Sequence, residues 1–90
     1  MREVTTKSGF ACRVDEEALD DIELMEELVE LDRDNARGVL KVPTMLDRLI
    51  GEEQRKALYE HLRAENGRVK TSAVVTELFS IIQELDKGKK

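Results

Sequence analysis

The chain of 90 residues predicts an α+β fold, an N-terminal β-hairpin packed on three or four short helices in one mostly helical single domain spanning 1–90. Three observations carry that expectation. Residues alternate in character through the first segment, apolar positions recur at helical spacing from about residue 20 onward, and no repeat or Pro/Gly-rich linker divides the chain. A domain this small hides only about 60–65% of its unfolded surface, so its stability margin is thin and self-association would help it.

Val4 and Thr6, then Phe10, Cys12 and Val14, alternate with Thr5, Ala11 and Arg13, and Lys7-Ser8-Gly9 supplies turn residues between the two runs. This places a hairpin at about 2–14. Two strands alone are marginal in water, so the Phe10, Cys12, Val14 face must lie on helices, or an edge must pair with another chain.

The first helix is expected at 20–32, with its cap between Asp15 and Asp20. Ile22, Leu24, Met25, Leu28, Val29 and Leu31 fall within about half its circumference, and Glu23, Glu26, Glu27 and Glu30 fall within an arc of about 100° opposite. The stretch DRDNARG, from Asp32 to Gly38, reads as a loop. Val39, Leu40, Val42, Met45, Leu46, Leu49 and Ile50 then form an apolar stretch interrupted by Pro43, a residue tolerated in a first turn, which puts a short helix at 42–50. Gly51 suits a left-handed cap, and Glu52 and Glu53 sit where a new helix favours negative charge. That helix, at 52–65, carries Leu58 and Leu62 on one stripe and sets Glu52 four residues before Lys56. It stops near Asn66-Gly67. Thr71 or Ser72 caps the last helix, at 72–86, whose apolar set of Val74, Val75, Leu78, Phe79, Ile81, Ile82 and Leu85 covers about 160°. Lys87, Lys89 and Lys90 favour its negative end.

Charge is unevenly spread. Between Asp15 and Asp34 stand eleven acidic residues and one arginine, a net charge of −10 in a chain whose total is −5. An acidic stripe of this kind is the opposite of what phosphate contacts need, so nucleic acid is not an expected partner. The basic positions Arg55, Lys56, Arg63, Arg68 and Lys70 gather near the third helix and its following loop. No apolar run approaches the ~20 residues that span a bilayer, and MREVTTKSGF lacks the apolar core of a signal peptide, so no membrane is expected and the chain should act in the cytoplasm. Cys12 is the single cysteine, which allows no internal disulfide and agrees with a reducing compartment.

The chemical motifs do not close. Counting a calcium loop from Asp32 puts Ala36 at the fifth position, Arg37 where glycine belongs and Pro43 where the bidentate glutamate belongs. His61 is the single imidazole and reads as the margin of a packed stripe, the other reading being a ligand pair with Cys12. Gly38, Gly51 and Gly67 are isolated, so no phosphate-binding loop exists. Neither a catalytic set, a cofactor nor a resident metal is expected.

The order of helix, LIGEEQ, RKALYEHLR, ENGRV and helix, placed after an acidic helix opened by Leu19-Asp20-Asp21, resembles the small tail assembly chaperones of long-tailed bacteriophages and prophages of Gram-positive bacteria. The resemblance runs from about Phe10 to Leu85. It implies a non-enzymatic role before assembly in the host cytoplasm. Several copies coat the long, aggregation-prone tape measure protein, keep it soluble, help recruit the tail tube protein, and are displaced rather than retained in the mature virion. The family brings no catalytic residues. Helical geometry here offers Leu24, Leu28 and Leu31 on the first helix and Phe79 and Ile82 on the last as partner-binding positions, with the acidic face either solubilising or recognising a basic partner. The competing expectation is a small regulatory protein that binds nucleic acid or a nucleic-acid-binding partner, using the two helices meeting at Gly51 as a helix-turn-helix.

Overall fold

The computed structural model describes residues 2–33 and 35–87. Strands β1 (Arg2–Thr5) and β2 (Ala11–Val14) pair antiparallel, with Val4 opposite Cys12 and Arg2 opposite Val14. That register gathers Val4, Thr6, Cys12 and Val14 on one buried face, while Phe10 is half-buried. The hairpin is followed by a 3-10 turn at Glu16–Asp20, then α1 (Ile22–Arg33), α2 (Asn35–Gly38), a second 3-10 turn at Val39–Lys41, α3 (Val42–Leu62) and α4 (Thr71–Lys87). The α+β architecture of a hairpin on helices is therefore present. Lys89, Lys90 and Asp34 lie outside the described residues.

The boundaries differ from expectation where side chains intervene. Asp15 caps the 3-10 turn by accepting from Glu17 N at 3.0 Å, and Asp21 caps α1 by accepting from Glu23 N at 2.9 Å, so α1 starts at Ile22 rather than 20. The stretch read as a loop contains the helical turn α2. Gly38 is needed there for closeness, because a Cβ would land on the backbone of Leu31 in α1. α3 begins with Pro43 in its first turn and ends at Leu62 rather than 65. Arg63 turns extended, and Ala64 and Arg68 close a separate loop by a 2.8 Å backbone bond. α4 starts at Thr71, with Val74 N donating to Lys70 O at 3.2 Å, so Lys70 takes the capping position expected of Thr71 or Ser72.

Gly51 breaks α3 in two. Its φ of 80° has the sign expected of a cap, but its ψ of 163° is extended rather than left-handed helical, a conformation that belongs almost to glycine alone. The break leaves carbonyls without helical partners, and the hairpin uses them. Asp15 N donates to Leu49 O at 2.9 Å, and the Gln54 amide donates to Ile50 O at 2.7 Å and to Arg13 O at 2.6 Å while accepting from Arg13 N at 2.8 Å. One side chain thus ties the β2 edge to the kink. At Arg13, the edge that could have paired with another chain is already occupied.

The core forms where these elements meet. Val14, Leu24, Leu31, Met45, Leu46, Leu49, Leu58, Leu78 and Ile81 are essentially inaccessible. At about 1.5–3 kcal/mol for each fully buried large aliphatic side chain, this set supplies most of the drive to fold.

Candidate functional site

The apolar arc of α1 does not all face inward. Leu24 and Leu31 are buried, Met25 and Leu28 are half-buried, and Ile22 and Val29 are exposed at 71% and 54%. Arg48 of α3 explains the rotation. Its Nη1 lies 3.1 Å from Asp21 and 4.0 Å from Glu23, and its Nε lies 3.3 Å from Glu27, so three carboxylates of the acidic segment turn toward α3. Lys41 holds Glu30 at 3.3 Å on the same side. With that edge of the helix anchored, the opposite edge of the apolar arc is left in solvent.

α4 leaves a matching strip. Leu78, Ile81 and Leu85 are buried, Val75 and Ile82 are half-buried, and Phe79 is 40% exposed. Between the helices lies a cleft of about 300 Å³ lined by Leu19, Met25, Leu28, Ile82, Gln83 and Asp86. Of the five positions offered by helical geometry, Leu28 and Ile82 share this cleft. Phe79 stands one turn from Ile82 along α4. Leu24 and Leu31 are core residues beneath it, because periodicity alone does not separate the deep part of an apolar arc from its edge. Leu19 and Met25 also line the cleft, although helical geometry did not offer them as partner-binding positions.

The polar groups form a second cluster at the hairpin turn. Glu77 of α4 is 2% exposed and accepts from Thr6 Oγ1 at 2.5 Å and Ser8 Oγ at 2.6 Å. Ser80 Oγ accepts from Lys7 N at 2.9 Å. His61 directs Nε2 to Ser8, 3.1 Å from Oγ and 3.2 Å from the carbonyl oxygen, with its ring 5.4 Å from that of Phe10. His61 therefore bonds to the turn rather than to Cys12. The serine stands between histidine and glutamate, whereas a nucleophilic triad sets the histidine between the other two. This is an anchor for the hairpin. Burial, followed by the negative charge of Glu77, pushes the Cys12 thiol up to about 11, which keeps it protonated and unreactive near neutrality. No group of three His, Cys, Asp or Glu side chains among the described residues is arranged to hold a metal ion.

The cations near the kink are engaged by acids. Arg55 Nε meets Asp47 at 2.5 Å with its guanidinium 5.4 Å from the Tyr59 ring centroid, and Lys56 meets Glu52 at 3.1 Å. Arg63 meets Glu60 at 2.6 Å and holds that carboxyl below its usual range. Phosphate binding there would have to displace these carboxylates. Among the described residues no helix is long and apolar enough to cross a membrane. Comparison with family models, with characterised proteins and with solved structures finds no match to this chain.

Proposed function

We propose that this chain is a non-enzymatic tail assembly chaperone of a long-tailed phage or prophage, which binds the tape measure protein in the host cytoplasm and keeps it soluble until the tail is built. The tail tube protein is a second partner, and the chaperone leaves before the virion is complete. The observation that carries this reading is the exposure of Val29 and Phe79, each within one helical turn of a residue that lines the α1–α4 cleft. Large apolar side chains clustered in solvent mark a binding surface more often than a decoration.

Co-expression with the tape measure protein of the same genome tests the proposal. The soluble fraction of that protein should rise, with more than one copy of the chaperone bound per partner chain. Phe79→Ser and Val29→Ser should remove the effect while the isolated domain keeps its far-UV signal. Leu31→Glu, by contrast, buries a charge in the core and should unfold the domain at a cost of several kcal/mol. An unchanged soluble fraction with folded chaperone in excess would sink the proposal.

A further inference from the structure

We infer that the α1–α4 cleft receives a cationic amphipathic helix of another protein. This rests on the reading that capture of a helical partner is the task of the chain, and it names the surface and the chemistry of what fits it. The floor is apolar, built by Leu19, Met25, Leu28 and Ile82, and the exposed Val29 and Phe79, each within one helical turn of it, extend it into solvent. At about 100° per residue, Met25, Val29 and Ile22 form one strip along α1, with Asp32 and Glu26 at its two edges and Arg33 at its end. Asp86 lines the α4 side. Apolar floor and anionic rim together call for a helix of about three turns that presents apolar residues at i, i+3 or i+4, and i+7, with Lys or Arg beside them.

Charge decides between this occupant and a second copy. A two-fold pairing through the cleft would set Glu26, Asp32 and Asp86 of one copy against the same carboxylates of the other, and juxtaposed like charges are costly. A cationic helix gains from the same field, both in steering and in register.

Two labelled helical peptides with one apolar spacing, one with Lys and Arg on its polar face and one with Glu, distinguish the possibilities by fluorescence anisotropy. The cationic peptide should saturate a single site. Its binding should weaken by about tenfold or more when salt is raised from about 0.01 M to about 1 M, as the screening length falls from ~30 Å to ~3 Å. Val29→Ser with Phe79→Ser, or Glu26→Lys with Asp32→Lys, should each weaken it by a similar factor, with folding of each variant checked by circular dichroism. Leu40→Ser, at a position 79% exposed and outside the cleft, should leave it unchanged. Equal binding of the acidic peptide, no binding of either, or indifference to the cleft substitutions would overturn the inference. A mass that grows with concentration and is abolished by Val29→Ser would overturn it as well, by assigning the face to a second copy. If the tape measure protein is solubilised while the cationic peptide is ignored, the cleft inference fails and the chaperone function stands. The reverse outcome keeps the cleft and removes the function.

Discussion

At Gly51 the backbone occupies a region that side chains rarely enter, yet a Cβ there would meet nothing within 4 Å. Gly51→Ala therefore introduces backbone strain without a clash, and should cost about 1–3 kcal/mol, read as a lower urea midpoint at unchanged slope. Gly38 is the opposite case. Its φ of −63° and ψ of −35° are ordinary for a helix, but a methyl group would strike the backbone of Leu31. Gly38→Ala must push α1 and α2 apart and should cost more than Gly51→Ala; the reverse order would defeat the steric explanation. Cys12 makes a prediction in pH. The thiol ionises near 9.0 when unfolded and near 11 when folded, so its contribution to stability is fully present below pH 9 and is lost as pH rises toward 11. Cys12→Ala should flatten that part of the stability profile, measured as the difference between the two proteins in chemical denaturation between pH 9 and 11.

Between elements, the strongest dependence is that of β2 on the kink in α3, because Gln54 supplies two hydrogen bonds to Arg13 across that junction and a third to Ile50 O at the kink itself. Gln54→Ala should cost about 1–3 kcal/mol and raise amide exchange in β2, and Gln54→Glu should not rescue it, since a carboxylate would face the Arg13 carbonyl. Equal protection of β2 in all three proteins would refute the clamp. The hairpin, the helices and the break at Gly51 were legible in the sequence because alternation, helical periodicity and an isolated glycine after an apolar run are local signals. What remained hidden depends on distant partners. Nothing near Glu77 indicates that its carboxylate will be buried, since Thr6 and Ser8 lie at the other end of the chain. Likewise the rotation of α1 follows from Arg48, twenty-seven positions beyond the Asp21 that it holds. The candidate site was half legible for the same reason. Phe79, Ile82 and Leu28 could be picked from their arcs, but only the direction in which Arg48 turns α1 shows that Leu24 and Leu31 are core and that Ile22 and Val29 are not.

Across the whole molecule, the N-terminal hairpin closes on the C-terminal helix. Arg2 donates to Leu85 O at 3.2 Å, Lys7 N to Ser80, and Thr6 to Glu77. A chain ending at Lys70 should therefore lose protection of the hairpin amides as well as of α4, a loss visible by hydrogen exchange. A total charge of −5 predicts no retention on duplex DNA at physiological salt, and tight sequence-selective retention in a mobility shift would instead promote the helix-turn-helix reading. The closure also sets an order of events during translation. Thr6 leaves the ribosome 71 residues before Glu77, so at roughly 5–20 residues per second the hairpin waits about 4–14 s for its seat. Throughout that interval Val4, Cys12 and Val14 have only part of their cover. Slow decoding of the codons for α4 should therefore lower soluble yield, an effect that synonymous codon choice could change without altering a single residue.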